Sequence, residues 1–226
     1  MSDKGAARAV IFDLDGTLVE SAPDLHVAAN KLMRENQRRD VTLSEITMMV
    51  GDGVPKLVER AFRATGEPAS AEDLDGFVAR YLEFYEPHAA DLSRPFPGAL
   101  ECLDRLHGMG IKLAVCTNKP FDATMEILTK LKLGTHLDVV IGGDTLPGIK
   151  KPDPRHLQAA MDKMGVNTAE TIMVGDFRND VEAAHGARIP AIVCRFGYTK
   201  GPAEDLGADL IIDSFDELPE AFARLP

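Results

Sequence analysis

Two carboxylates separated by one residue stand directly after an apolar run near the start of the chain, in the sequence Asp13-Leu14-Asp15-Gly16-Thr17. The run before them predicts a buried strand, and doubly wound sheets carry their functional sites at the carboxyl ends of strands. Gly16 allows the backbone to turn sharply and to approach a ligand closely. A lone Asp-x-Asp is usually a solvated turn, but the strand leading into this one favours a chemical role for Asp13 and Asp15.

Two other places in the chain offer groups that could hold an anion. Thr117 and Asn118 follow a second apolar run. A hydroxyl and a neighbouring backbone amide at a strand tip can bind a phosphate oxygen, although most such pairs only form caps or turns. Lys151 stands before Pro152, whose ring fixes the backbone, and this favours Lys151 over the neighbouring Lys150 as the cationic ligand.

A second pair of carboxylates, Asp176 and Asp180, follows a later apolar run. Asp176 falls at the predicted strand tip, and Asp180 lies four residues on, within reach of the same face if a helix starts there. Acidic residues at a helix start are also stabilised by the helix dipole alone, which describes Asp180 well. It describes Asp176 poorly, because Asp176 precedes the helix and follows a glycine.

Short apolar runs rich in Val, Ile and Ala predict six strands, over residues 9–12, 112–116, 137–141, 171–174, 191–194 and 209–212. Helical stretches separate the last five, among them 98–109, 121–131 and 154–164, the last with Asp153 as its cap and Pro154 as its first residue. This alternation predicts an α/β fold: a doubly wound, mostly parallel sheet with helices on both faces.

Residues 20–90 interrupt the alternation with helical periodicity only. We predict four helices there, over 22–35, 42–50, 54–65 and 71–85, and a proline-rich return linker over 93–98. The expected organisation is therefore a catalytic core formed by residues 1–19 and 92–226, with a helical cap over residues 20–91 inserted after the first strand.

Composition indicates which classes of partner the protein lacks and in which compartment it works. The chain of 226 residues has a formal net charge of -11, which argues against nucleic acid, because phosphate backbones require clustered Lys and Arg. Its three cysteines include no Cys-x-x-Cys pair, which indicates free thiols in a reducing compartment. With no secretory segment and no apolar run of transmembrane length, we expect a cytoplasmic protein without a membrane partner. The choice between monomer and homodimer stays open.

The motifs DxDGT, Thr-Asn, Lys-Pro and GDxxxD, each closing an apparent strand, together resemble the four motifs of the haloacid dehalogenase superfamily. The resemblance covers essentially the whole chain. The helical insert resembles the four-helix cap of the phosphoglycolate-phosphatase-like branch, and residues 50–58 and 93–98 are similar to cap and linker segments of that branch. The resemblance implies a Rossmann-like core with an inserted cap and a phosphatase activity.

It also implies a covalent mechanism. Asp13 would be the nucleophile that forms an aspartyl phosphate, and Asp15 would protonate the leaving alcohol and then activate the hydrolytic water. Thr117, the amide of Asn118 and Lys151 would hold the phosphoryl oxygens. A covalent intermediate divides one very slow hydrolysis into two easier steps.

Magnesium is the implied cofactor. Asp13, the carbonyl of Asp15 and Asp176 would bind it directly, while Asp180 would support these ligands without touching the metal. Carboxylates repel a phosphate, so a hard cation with oxygen ligands suits this set. Many relatives have a small hydroxyl residue where this chain has Phe177, which leaves one contact around the metal unassigned.

Asp15 separates the alternatives within the superfamily. Dehalogenases resemble this pattern but lack the second aspartate, since a halide leaving group needs no proton. A phosphomutase would use the same core and stays open. From another class, a phosphorylatable receiver has no cap, and a catalytically silent binding protein would have lost motif residues. We therefore expect a phosphatase.

The expected substrate is a small phosphorylated metabolite, with 2-phosphoglycolate as the first candidate from the resemblance. The cap segment Gly51-Asp52-Gly53 leads into a predicted helix that carries Lys56. A helix N-terminus and a lysine could together receive a carboxylate. A second interpretation fits the sequence equally well: Gly51 and Gly53 merely connect two helices, and Lys56 is an exposed lysine.

Overall fold

Eight strands lie within residues 9–225, the part of the chain that the computed structural model describes. In chain order they are β1 (Ala9–Phe12), β2 (Val19–Glu20), β3 (Arg94–Pro95), β4 (Lys112–Cys116), β5 (Val139–Ile141), β6 (Thr171–Gly175), β7 (Ala191–Cys194) and β8 (Leu210–Ile212). The α-helices are α1 (Ala22–Glu35), α2 (Leu43–Thr47), α3 (Val54–Thr65), α4 (Ala71–Tyr85), α5 (Ala99–Gly108), α6 (Phe121–Lys130), α7 (Arg155–Met164), α8 (Arg178–Ala187) and α9 (Leu218–Arg224).

Six strands form the main sheet in the order β5-β4-β1-β6-β7-β8, and each neighbouring pair is parallel. Alternate residues of β1 enter two different apolar clusters, one on each face of the sheet. Leu103 of α5 and Ile127 of α6 belong to one cluster, and Leu157 of α7 and Val181 of α8 belong to the other. The predicted doubly wound α/β fold is therefore confirmed.

Two strands begin later than predicted, β5 by two residues and β8 by one. In both cases an aspartate side chain takes a backbone bond at the start of the ladder. The carboxylate of Asp138 accepts the N–H of Leu113 at 2.8 Å, and that of Asp209 accepts the N–H of Ala191 at 2.8 Å. Side chains that bond to nearby backbone groups compete with regular structure, and apolar patterning cannot reveal that competition.

Several helix boundaries also differ from the prediction, by one to three residues. The helix predicted over 42–50 ends at Thr47, where turns replace the α-helical bonds. Helix α7 begins at Arg155 with Pro154 as its N-cap, one residue later than predicted. The carboxylate of Asp153 still accepts the N–H of Arg155 at 3.0 Å, so the predicted capping bond forms around a shifted boundary.

A short antiparallel ribbon that the sequence analysis missed joins the two crossings between the sheet and the helical insert. Val19 of β2 pairs with Pro95 of β3, and Glu20 pairs with Arg94. The segment predicted as a return linker, 93–98, is therefore partly a strand. Two residues per strand are too few for a period-2 pattern to be visible in the sequence.

A buried carboxylate ties α1 to the returning chain beside this ribbon. Asp24 accepts the backbone N–H of Leu92 at 2.9 Å, that of Ser93 at 2.7 Å and the hydroxyl of Ser93 at 2.6 Å. These bonds satisfy a charge that would be costly to bury alone. We propose that the cap is residues 20–91, because the chain leaves and rejoins the sheet side by side at this point.

Helices α1 to α4 pack around their own apolar side chains between the two crossings. Leu32 of α1, Phe62 of α3 and Tyr81 of α4 are fully or nearly fully buried, and the rings of Phe62 and Phe77 stack at 4.3 Å. Among the described residues, no helix is long and apolar enough to cross a membrane.

A buried histidine lies beneath the sheet edge that carries the predicted site. His156 of α7 is fully buried, with Nε2 3.1 Å from the carbonyl oxygen of Gly142 and Nδ1 3.3 Å from Sγ of Cys116. A carbonyl only accepts, so Nε2 carries the proton and Nδ1 accepts from the thiol. Burial lowers the pKa of His156 to about 4.

This depressed pKa predicts a loss of stability in mild acid. The unfolded chain takes up a proton near the ordinary pKa, whereas the folded chain resists protonation down to about 4. The contribution of His156 is complete above about pH 6.5 and is lost as the pH falls towards 4, by up to about 3 kcal/mol. Denaturant unfolding of the wild type and of His156→Gln across this range checks it. The titrations of other groups are common to both proteins, so equal pH slopes would contradict the prediction.

Candidate active site

The carboxyl ends of three adjacent strands bring the predicted site residues together. The last residue of β1 is paired with Val115 of β4 and with Val174 of β6. Asp13 follows that residue directly, and Thr117 and Asp176 stand two positions beyond its partners. All three side chains are buried. Register in a parallel sheet thus brings Asp13 together with two groups that are each more than a hundred residues away from it in sequence.

Lys151 lies among the aspartates as predicted, with its side chain 2% exposed. Its Nζ is 2.8 Å from Oδ1 of Asp13 and 2.7 Å from Oδ1 of Asp180. Burial alone would lower the pKa of Lys151, but the two carboxylates outweigh it and raise that pKa. Burial raises the pKa of Asp13 to about 6, with the attraction of Lys151 opposing it. The ammonium is therefore held charged at the edge of the site.

Three buried carboxylates lie close enough to share a cation. One oxygen from each of Asp13, Asp176 and Asp180 falls within 4.8 Å of the others. Burial, reinforced by the charges of Asp13 and Asp180, raises the pKa of Asp176 well above its usual range. The cluster has only oxygen donors and an excess of negative charge, and both features fit Mg²⁺.

The loop after β1 leaves space for Asp176. Gly16 has a φ of +88°, and a Cβ at this position would lie 2.2 Å from Oδ2 of Asp176. Thr17 donates its hydroxyl to the same carboxylate at 3.0 Å, and the N–H of Tyr198 donates at 2.6 Å. Gly16 thus serves the carboxylate cluster, a more specific task than the ligand approach predicted from sequence.

Asp180 uses both of its oxygens within the protein. Oδ1 accepts from Nζ of Lys151 at 2.7 Å, and Oδ2 accepts the backbone N–H of Asp176 at 3.2 Å and that of Phe177 at 3.0 Å. It therefore positions the lysine and the loop that carries Asp176, which is consistent with an indirect role at a metal. The ring of Phe177 packs away from the cluster, against Gly51.

Asp15 forms an ion pair that the sequence analysis did not foresee. Both of its carboxylate oxygens accept from Nζ of Lys119, each at 2.9 Å. Lys119 follows Thr117 and Asn118 at the tip of β4, and its side chain is 2% exposed. Its position directly after the Thr-Asn motif was the available signal. A lysine three residues beyond a strand end gives no indication of which carboxylate it will reach.

A cavity opens above these groups. Both the sheet and the helical insert line it. The residues from the sheet are Asp13, Asp15, Thr117, Asn118 and Lys119, and those from the insert are Leu25, Val50, Gly51, Gly53, Val54, Leu57 and Tyr85. One wall is therefore polar and charged and the other mostly apolar, as in many small-molecule sites.

The turn between α2 and α3 is bonded directly to the sheet edge. The carbonyl of Gly51 accepts from the side-chain amides of Asn118 at 3.0 Å and Asn179 at 3.2 Å. The carbonyl of Asp52 accepts from Nζ of Lys150 at 2.9 Å. Lys150, the competitor of Lys151 in the sequence, thus holds the cap turn and not the aspartate cluster.

Lys56, our candidate ligand for a substrate carboxylate, does not line the cavity, and the structure matches the alternative in which this lysine is exposed. Its side chain is 57% exposed and its Nζ is 2.6 Å from Oε2 of Glu59 on the outer face of α3. Helical geometry explains the difference, because Val54, Leu57 and Val58 occupy the inward face and leave position 56 outside. Within the described part of the chain, the cationic residue that lines the cavity is Lys119 instead.

Comparisons with known proteins match nearly the whole chain to one family of hydrolases. A sequence profile described as haloacid dehalogenase-like hydrolase matches residues 10–194. A phosphoglycolate phosphatase from Caulobacter vibrioides is 41% identical over 216 residues, which is 96% of this chain and 91% of that protein.

Solved structures share the complete fold. A predicted phosphoglycolate phosphatase from Haemophilus somnus 129PT superposes with a TM-score of 0.89 at 28% identity, over 96% of this chain and 98% of that one. CbbY from Rhodobacter sphaeroides, solved in complex with phosphate, superposes with a TM-score of 0.81 at 25% identity, over 97% and 100% of the two chains.

Proposed function

The chain belongs to the haloacid dehalogenase-like hydrolases, and on that basis we propose that it is a magnesium-dependent phosphatase of 2-phosphoglycolate. The observation that carries the proposal is the meeting of Asp13, Asp15, Lys151 and Asp176 beside one small cavity. A relative with 41% identity over nearly the whole chain is named for the same activity.

Asp13 is the nucleophile in this proposal. Its carboxylate reaches the cavity floor, and attack on phosphorus would form an aspartyl phosphate with release of the alcohol. Lys151, 2.8 Å from Asp13, and the hydroxyl of Thr117 would bind the phosphoryl oxygens. Because these donors are fixed before the substrate arrives, they stabilise charge in the transition state without further reorganisation.

Asp15 handles the proton in both steps. It stands two residues after the nucleophile and lines the same cavity, so it could reach the leaving oxygen of a substrate bound at Asp13. It would donate a proton to that oxygen and later accept one from the water that hydrolyses the aspartyl phosphate. The backbone amide of Asn118 at the neighbouring strand tip would bind a phosphoryl oxygen.

The metal would be held by Asp13, the carbonyl of Asp15 and Asp176, while Asp180 supports the site through Lys151. When bound, magnesium neutralises phosphoryl charge that the carboxylates would otherwise repel. Gly16 and Thr17 maintain the position of Asp176.

The experiment is a phosphate-release assay on the purified protein. We expect 2-phosphoglycolate to be hydrolysed with a higher kcat/KM than p-nitrophenyl phosphate or hexose phosphates, EDTA to stop turnover, and added magnesium to restore it. A protein that hydrolyses none of these esters in magnesium would refute the phosphatase proposal. Strong preference for another ester would refute the substrate alone.

A further inference from the structure

A buried positive charge stands on the cavity wall away from the phosphoryl-binding lysine. Lys119 is 2% exposed at its side chain, and among the described residues that line the cavity it is the one that carries a positive charge. Lys151, by contrast, is engaged between Asp13 and Asp180. The two ammonium groups therefore serve different places in one site.

Lys119 lies next to the leaving-group side. Its Nζ contacts both oxygens of Asp15, the residue to which we assign the proton of the leaving alcohol. In 2-phosphoglycolate a single methylene separates the bridging oxygen from the carboxylate. A substrate whose bridging oxygen approaches Asp15 consequently brings its carboxylate within reach of the ammonium of Lys119.

A second donor on the same wall lacks a protein partner. The side chain of Tyr85 is buried and lines the cavity, and within residues 9–225 its hydroxyl has no hydrogen-bond partner. Its ring lies 4.8 Å from Nζ of Lys119. A buried hydroxyl without a partner is costly, and an acceptor from a ligand would satisfy it. The nearby apolar side chains of Leu25, Val54 and Leu57 strengthen a charge interaction by excluding water.

We propose that Lys119, assisted by the hydroxyl of Tyr85, binds the substrate carboxylate and so selects small phosphate monoesters that carry a second anionic group beside the ester. The inference rests on the proposed function and assigns its specificity to one residue of the sheet edge. The substrate carboxylate takes over part of the contact that Lys119 makes with Asp15 in this structure.

The test compares 2-phosphoglycolate with 2-phosphoglycolamide, which has the same shape and no carboxylate charge. Lys119→Met keeps the length of the side chain and removes the ammonium. We expect kcat/KM for phosphoglycolate to fall roughly 10²-fold more than kcat/KM for the amide, because a charged, buried hydrogen bond is lost for one substrate only. Lys119→Met also removes the contact between Lys119 and Asp15, but that loss affects both substrates and therefore cancels in the ratio of the two kcat/KM values. The control Lys56→Met, at an exposed lysine, leaves both values unchanged.

Two further variants protect the test from a folding defect. Lys119→Arg should keep most of the preference for the carboxylate, and Tyr85→Phe should lose a smaller part of it. Equal losses on the two substrates in Lys119→Met, or wild-type enzyme that does not distinguish them, would overturn the inference and leave the phosphatase proposal intact. If the wild type hydrolyses neither ester, both the proposed function and the inference fail.

Inhibition by glycolate gives a measurement that is independent of the chemical step. Glycolate should inhibit the hydrolysis of p-nitrophenyl phosphate by the wild type. Inhibition of Lys119→Met should require a glycolate concentration at least roughly tenfold higher. Glycolamide should inhibit the two proteins equally. Identical inhibition of both proteins by glycolate would contradict the inference.

Discussion

Asp13→Asn is expected to lower kcat for phosphate release by roughly 10⁵-fold or more, since loss of a covalent nucleophile removes the reaction path itself. The amide has nearly the shape of the carboxylate but cannot form a stable bond to phosphorus. Lys151 retains its second partner, Asp180, so the site keeps its arrangement. Because the substitution removes a buried charge that lies close to Asp176 and Asp180, the metal-free variant should be at least as stable as the wild type.

When wild-type enzyme is quenched with acid during turnover, the peptide that contains Asp13 should carry one extra phosphoryl group. The corresponding peptide of Asp13→Asn should not carry it. Asp153→Asn is the matched control, because Asp153 is paired with Arg155 at the surface. Substantial turnover by a preparation of Asp13→Asn free of wild-type enzyme would refute the covalent mechanism. If Asp13→Asn lost turnover but still carried the phosphoryl group on that peptide, the nucleophile would be another residue of the same peptide.

Asp176→Asn is expected to raise the magnesium concentration for half-maximal activity by more than roughly 10²-fold, and Asp180→Asn by roughly 10-fold. The donors to Asp176 are neutral, the hydroxyl of Thr17 and the N–H of Tyr198, whereas Oδ1 of Asp180 is already paired with the ammonium of Lys151. Asp180→Asn should therefore reduce kcat more than metal affinity, through a displaced Lys151.

The increase in melting temperature caused by magnesium provides a readout that does not depend on turnover. It should be nearly abolished in Asp176→Asn and largely kept in Asp180→Asn. If the increase were instead lost in Asp180→Asn and kept in Asp176→Asn, Asp180 would be the direct metal ligand and Asp176 would only support it.

The parts of this protein that follow from local pattern could be predicted from its sequence. Each strand of the sheet is a short apolar run, and parallel strands necessarily bring their carboxyl ends to one edge. The positions of Asp13, Thr117 and Asp176 follow from that rule alone. Helices α1, α3 and α4 were predictable because their apolar periodicity is strong.

Features that depend on long-range geometry could not be predicted. The reach of Lys119 to Asp15 spans 104 positions and depends on the course of one flexible side chain. The outward direction of Lys56, by contrast, follows from the apolar periodicity of α3 and could have been predicted. The hydrogen bond from the side-chain amide of Asn118 to the carbonyl of Gly51 joins two segments whose sequences give no sign that they meet.

The pairing of β2 with β3 makes the helical segment an exchangeable cassette. The chain departs at Val19 and Glu20 and returns at Arg94 and Pro95, so both crossings pass through neighbouring positions of one ribbon. Paired antiparallel residues have Cα atoms only about 4.5–5.5 Å apart. Any segment whose two ends meet at that spacing could replace residues 20–91 without altering the register of the main sheet. Swapping the cassette between relatives would therefore change the cavity wall formed by Leu25, Val54, Leu57 and Tyr85 while the sheet-borne Asp13, Asp15 and Lys119 stay in place.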